Sequence, residues 1–186
     1  MSLPPLEQVV AVVTAARAAS PVAGATVVVA VDGRSGSGKT VLGTAVAAAL
    51  GCPVVHVDEI YPGWDGLQAG VVLATEHVLQ PLARGKRAAY PRWDWMRSRP
   101  GRTVPLEAGT HLVLEGCGAL VAPAAPFAAV RVWVEAPTEV RRERALSRDG
   151  GTYAPHWDRW AAQEDAVYAT TRPWESADLV LHTVAS

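Results

Sequence analysis

The stretch VVVAVDGRSGSGKTVLGTAVAAAL, residues 27–50, decides the fold. It opens as an apolar, mostly β-branched run, breaks into glycine and serine, and resumes as an alanine-rich helix former. Gly33-Arg34-Ser35-Gly36-Ser37-Gly38-Lys39-Thr40 fits the pattern G-x-x-x-x-G-K-[ST] at every fixed position. Glycines there admit backbone angles that side chains forbid, so successive N–H groups can face one phosphate. The helix that follows presents its unpaired N-terminal donors to the same anion. Lys39 brings a mobile positive charge to the outer phosphates, and Thr40 a hydroxyl for Mg²⁺. Gly33, Ser35, Gly36, Ser37, Gly38, Lys39 and Thr40 are therefore the expected binding residues of a nucleoside triphosphate, taken as ATP with GTP left open, and Mg²⁺ is the expected cofactor.

Working outward, apolar runs predict further strands at 53–57, 111–114, 130–134 and 177–182 beside the first at 26–31. Apolar residues at helical spacing predict helices at 5–19, 38–50, 67–83 and 157–170. Another helix is expected from Pro137 to the break at Asp149-Gly150-Gly151. Residues 84–107, rich in aromatic and basic side chains around Pro91 and Pro100, read as irregular with a short hairpin. Continuous apolar strands are buried on both faces, and strands alternating with helices make a parallel sheet covered on both sides. The expectation is an α/β P-loop NTPase three-layer sandwich, a five-stranded parallel sheet flanked by helices. One domain over 1–186 is expected, with an N-terminal helical segment in 1–24 and a lid at about 141–156.

Composition excludes other classes. The 186 residues carry a formal net charge of −1, and 49% are apolar, a globular balance without a field of one sign. No nucleic-acid or membrane partner is expected, because there is neither a basic stripe nor an apolar run long enough to span a bilayer. Cys52 and Cys117 have no metal-ligand spacing, and the start MSLPPLEQVV is no signal peptide, which suits a cytoplasmic setting. A homo-oligomer is left open.

In an open parallel sheet, ligands bind beyond the carboxyl ends of the strands. Asp58 follows Val54-Val55-His56-Val57, and Glu115 follows Leu112-Val113-Leu114. Phosphoryl transfer needs one carboxylate to hold or position Mg²⁺ and another to accept the proton of an attacking hydroxyl. Glu59 would point away from Asp58 along a strand. Asp32 ends the first strand and could reach the metal or pair locally. Arg141, Arg144 and Arg148, at i, i+3 and i+7, fall within about 60° on one helix face, which suits a lid that clamps phosphates. Tyr61, Trp64, Tyr90, Arg92, Trp93, Trp95, Arg97 and Arg99 gather in two connecting segments, with Asp65 and Asp94 among them. Rings that stack and groups that bond suit a polar acceptor with a planar part, such as a nucleoside, though tryptophans also plug gaps under long loops. Trp157, Trp160 and Trp174 read as packing residues. The five histidines form no metal spacing and receive no role.

GRSGSGKT, HVDEIY, AAYPRWDWMRSR and LVLEGCGAL occur in the order seen in the uridine kinase family, which this chain resembles over most of 26–182. That family shares its P-loop kinase fold with phosphoribulokinases and bacterial pantothenate kinases. The resemblance implies that Asp58 is the base toward the acceptor hydroxyl and that Tyr61 lies beside the acceptor. It implies that Glu115 serves Mg²⁺ and that Trp93-Asp94-Trp95 stands for the YDF-like nucleoside contact. RALSRDG resembles the arginine-rich lid segment, which puts Arg144 and Arg148 at the transferring group, and ADLVL resembles the last strand. The histidine that follows the YDF-like stretch has no counterpart, and the chain is shorter than typical uridine kinases. YPGWDGL and HWDRWAAQE resemble segments of actinobacterial uridine-kinase-like ATP-binding proteins.

The expected activity is an ATP- and Mg²⁺-dependent kinase of a small hydroxyl-bearing acceptor, a nucleoside first. Lys39, Asp58, Arg144 and Arg148 are its catalytic residues, and Thr40, Glu115 and Asp58 serve the metal. Asp58, Tyr61, Trp93, Asp94, Trp95 and Arg99 contact the acceptor. The alternatives are a sugar, sugar-acid or pantothenate-like kinase, and an ATP-binding switch without an acceptor.

Overall fold

Five apolar runs build the parallel sheet: β1 (Val27–Asp32), β2 (Val54–His56), β5 (His111–Glu115), β6 (Val130–Glu135) and β7 (Leu179–His182). The structure is a computed structural model that describes residues 4–183, so the ends of the expected 1–186 domain lie outside the described residues. The strand order is β2-β5-β1-β6-β7, every neighbouring pair parallel. β1 is buried along its whole length, as a central strand covered on both faces must be.

Helices cover both faces. α1 (Leu6–Ala18) and α2 (Lys39–Leu50) close one side over Val12, Ala16, Val29, Val31, Leu42, Val46, Val113 and Val132. On the other side, α3 (Leu67–Ala74) and α6 (Trp157–Thr171) pack with Val28, Val71, Leu112, Leu114, Trp133, Trp160 and Tyr168. This is the expected three-layer sandwich. Among the described residues no helix is long and apolar enough to cross a membrane.

The register levels the site. Val31 and His56 both pair with Glu115, so the carboxyl ends of β1, β5 and β2 lie side by side. β2 stops at His56, where the amides of Ile60 and Tyr61 both turn back onto the Val57 carbonyl. Asp58 therefore stands in a single 3₁₀ turn, not on a strand.

Two segments depart from the sequence expectation. Residues 84–107 are largely regular: β3 (Ala88–Asp94) and β4 (Arg99–Leu106) pair antiparallel, with a register shift between Pro91 and Trp93. Pro91 has no N–H for the ladder, and a bulge is where a strand tolerates that. The expected helix 67–83 is α3, a π segment at Thr75–Leu79, and α4 (Gln80–Ala83). Pro81 removes a donor and crowds the carbonyl four residues earlier, which widens the turn. The glycine break is where it was expected: α5 (Thr138–Tyr153) is two helical pieces that meet at a kink at Gly150 (φ 52°, ψ −133°).

Candidate functional site

The phosphate loop leaves β1 and enters α2 through Gly38, whose φ of 96° is left-handed. At Gly36 (φ 80°) an added Cβ would lie 2.0 Å from the Arg141 carbonyl, so no side chain fits. Asp32 anchors the start of the loop. Its buried carboxylate accepts the amides of Gly33 (2.7 Å), Gly118 (2.9 Å) and Leu120 (2.8 Å) and the Tyr168 hydroxyl (2.6 Å). Burial pushes its pKa up to about 6 against those donors. Local pairing is thus its role, and its oxygens are not turned to a metal.

Lys39 is buried. Burial lowers its pKa, but Cys117, Glu115, Glu164 and Asp32 raise it more, so the ammonium stays charged. The Ser37 hydroxyl is fully buried and has no hydrogen-bond partner. That hydroxyl is turned toward Gly33, where an added Cβ would lie 2.8 Å from it, so the donors left for an anion are Lys39 and the amides at the start of α2.

Thr40 donates its hydroxyl to Glu115 Oε1 at 3.0 Å, and His56 Nδ1 meets Glu115 Oε2 at 2.7 Å. The Glu115 hydrogen bond, ahead of opposing burial, raises the His56 pKa above the ordinary histidine value. Among the described residues no group of His, Cys, Asp or Glu is placed to hold a metal alone. A hydroxyl beside a carboxylate is an oxygen donor set that would fit Mg²⁺. Asp58 borders the same space. Burial first, then the Glu115 charge, raise its pKa, while His56, Lys39 and Arg148 oppose them.

Two cavities meet at Thr40, Asp58 and Trp95. The inner, about 550 Å³, runs from the phosphate loop at Lys39 past Asp58 and Glu115 to a wall of rings from Tyr61, Trp64, Trp95, Tyr153 and Trp160. Trp64 is the centre of that wall. It stacks on Tyr153 (5.4 Å between centroids) and His156 (4.3 Å) and tilts against Trp95 (4.7 Å). The outer cavity, about 590 Å³, lies under the β3–β4 hairpin with Trp93, Asp94 and Arg102 on its sides.

Each expected residue has a definite place. Tyr61 faces the inner cavity with its ring, while its hydroxyl donates to the Cys117 carbonyl at 2.7 Å. Trp95 borders both cavities and donates its indole N–H to the Asp58 carbonyl at 3.0 Å. Trp93 and Asp94 border only the outer cavity. Asp94 is engaged by the Arg97 amide (3.0 Å) and guanidinium (2.9 Å), and Arg99 borders neither cavity. Glu59 turns to the hairpin, taking Arg92 (2.8 Å) and the Tyr90 hydroxyl (3.2 Å).

The three helix arginines do not act as one face. Arg141 is buried and donates backwards to the carbonyls of Ala136 (3.2 Å) and Ser35 (3.3 Å). Arg144 donates to Thr183 Oγ1 at 2.8 Å, and that hydroxyl donates to the Ser37 carbonyl at 2.7 Å. Arg148 alone of the three lines the inner cavity.

Sequence reasoning missed Glu164. Its fully buried carboxylate accepts the Ser35 amide (2.7 Å), the Trp160 indole N–H (3.0 Å) and the Cys117 thiol (3.2 Å). A signal existed, because Glu164 falls on the buried stripe Trp157, Trp160, Val167, Tyr168 of α6. His56 was also missed, and its position against Glu115 follows only from strand register. Trp157 and Trp160 are buried as expected, although Trp160 also lines the cavity.

No family model matches the sequence, and no curated protein matches it. Solved structures do. A structure described as a possible uridine kinase from Bacillus stearothermophilus superposes with a TM-score of 0.68, over 94% of this chain and 97% of that one, at 22% identity. The fold is that of the uridine-kinase-like P-loop kinases. A shikimate kinase from Acinetobacter baumannii in complex with shikimate matches more loosely, with a TM-score of 0.48 and 16% identity over 87% of this chain and 86% of that one.

Proposed function

We propose that this protein is a Mg·ATP-dependent small-molecule kinase that phosphorylates a hydroxyl group, with a nucleoside as the first acceptor to try. One observation carries the reading. The inner cavity places the phosphate-loop residues Lys39 and Thr40, the carboxylate of Asp58 and a wall of five aromatic rings around one space.

In this reading the loop amides and Lys39 hold the triphosphate of the co-substrate. Thr40 and Glu115 would hold Mg²⁺, which would offset charge on the phosphates. Asp58 accepts the proton as the acceptor oxygen bonds to the γ-phosphorus and the bond to the β–γ bridging oxygen breaks, releasing ADP. Arg148 stabilises charge on the transferring group from the lid side. Trp64 and Trp95 give a planar acceptor faces to stack on. Sugars, sugar acids and pantothenate-like alcohols are the competing acceptors.

The test is a panel of nucleosides, polyols and sugar acids with Mg·ATP, reading acceptor-dependent ADP release. Stimulation by a nucleoside supports the reading, and stimulation only by a sugar or sugar acid moves the acceptor class. No stimulation by any acceptor, with ATP still bound, replaces it with a nucleotide-binding switch.

A further inference from the structure

α6 touches both loops of the site, and its contacts divide by position along the helix. Its first half grips the acceptor-side loop. Arg159 Nε donates to Asp65 Oδ1 at 2.6 Å. Gln163 donates its amide to the Trp64 carbonyl at 2.6 Å, and its oxygen accepts the Leu67 amide at 3.4 Å. Trp160 packs on Tyr61, with centroids 4.8 Å apart. The second half grips the phosphate loop. Glu164 takes the Ser35 amide, Asp165 pairs with Arg34 at 2.5 Å, and Tyr168 bonds Asp32. Gln163 and Glu164 are adjacent, yet one holds the main chain of the acceptor loop and the other the main chain of the phosphate loop.

A helix is stiff over this length, because beyond its first turn each backbone N–H is bonded within it. A hydrogen bond to a loop's main chain fixes the loop irrespective of its side chains. Glu164 lies 3.9 Å from the Arg141 guanidinium. Its charge is therefore balanced under the loop and does not stand open to repel an entering phosphate.

We propose that α6 is a strut that couples the phosphate loop to the acceptor loop, with Glu164 and Gln163 as the positioning residues at its two grips. Order imposed on the phosphate loop by a nucleotide passes through Glu164 into α6, and through Gln163 to residues 62–67. This rests on the kinase reading only in naming the two loops donor and acceptor. The physical warrant is a continuous chain of hydrogen bonds, which calls for a direct coupling measurement.

Hydrogen exchange with the non-hydrolysable triphosphate AMP-PNP and magnesium provides it, because no acceptor is needed. In the wild-type protein, nucleotide should slow exchange in peptides covering 33–40 and also in those covering 60–70. Glu164→Ala should bind AMP-PNP about tenfold more weakly, since the Ser35 amide loses a buried acceptor. At saturation it should protect 33–40 and leave 60–70 exchanging as in the free protein. Glu164→Gln keeps a carbonyl for Ser35 and should restore protection of 60–70. Gln163→Ala should bind nucleotide within threefold of wild type and still lose the 60–70 effect, which decides the matter if Glu164→Ala does not fold.

Protection confined to 33–40 in the wild type overturns the strut. So does full 60–70 protection in both alanine variants, or equal weakening of nucleotide binding by both. Coupling without acceptor turnover sinks only the kinase reading, and turnover without coupling sinks only the strut. No protection in either loop, together with no binding of AMP-PNP by calorimetry, overturns both.

Discussion

The phosphate loop and the β3–β4 hairpin face the same space, and they are built in opposite ways. The loop is closely packed: Ser37 is fully buried, Gly36 admits no Cβ, and Ser35 is held through its main chain by Glu164. The hairpin is a two-stranded ribbon whose tip is exposed, with Met96 97% open to solvent. Its charges are tied at the surface, Arg97 to Asp94 and Arg92 to Glu59. Two strands alone are marginally stable in water, so this ribbon relies on Tyr90 and Trp95 reaching down to Glu59 and Asp58. The difference teaches which ligand is constant. A phosphate always presents the same oxygens and can be met by fixed main chain, whereas under the kinase reading the acceptor would be met by side chains, Trp95 of the hairpin among them.

The largest effect expected from breaking this division falls on chemistry without touching the loop. Asp58→Asn should lower turnover by about 10²–10⁴-fold, the usual worth of a positioned base. Nucleotide affinity by calorimetry should stay within threefold. Equal loss of both would place Asp58 in the nucleotide site instead. The wild-type rate should also fall on acidification with a midpoint above the ordinary aspartate range, because burial and Glu115 hold its proton on and only the ionised form accepts another.

Next in size is the reverse experiment. Gly36→Ala puts a methyl against the Arg141 carbonyl in a left-handed conformation. Strain of about 1–3 kcal/mol, plus the clash, should weaken nucleotide binding by on the order of 100-fold. A variant that binds normally would mean that the loop yields more readily than its packing implies. Smaller again is Trp64→Ala, which removes the central ring of the acceptor wall. The acceptor KM should rise about tenfold, in line with the loss of stacking on two faces, while nucleotide affinity is unchanged. A change in nucleotide affinity instead would show that the two halves are not separable at that ring.

The same division governs what could be read from the sequence. The phosphate loop was legible because its chemistry is local, with each residue's role set by neighbours a few positions away. The central strands were legible because burial on both faces leaves continuous runs such as 27–31. The strand-end rule pointed to Asp58 and Glu115, and both line the inner cavity. Glu164, by contrast, meets Ser35 across 129 positions, and no spacing encodes such a pairing. The arginine face misled for the same reason. Helical period correctly puts Arg141, Arg144 and Arg148 on neighbouring rows, but α5 leans on the phosphate loop near Gly36, so Arg141 is buried against carbonyls before it can face a ligand. The hairpin was underrated because Pro91 and Pro100 argue against strands, and a bulge accommodates the first of them.

His56 sits on the seam between the two regions, touching Glu115 on the donor side and lining the outer cavity on the acceptor side. It gives the smallest effect of the four, and one that carries a sign. Its pKa is raised in the folded protein, so the folded state binds its proton more tightly than the unfolded chain does. The stabilisation from the protonated His56–Glu115 pair is therefore complete below the unfolded histidine pKa of about 6.5 and is lost as pH rises through the raised folded value. Thermal melts of metal-free wild type and His56→Gln, taken from pH 5.5 to 9, should differ most at the acid end and converge at the alkaline end. A gap that widens with pH would mean that Glu115 holds a neutral imidazole. The seam would then be joined by an ordinary hydrogen bond with no charge in it.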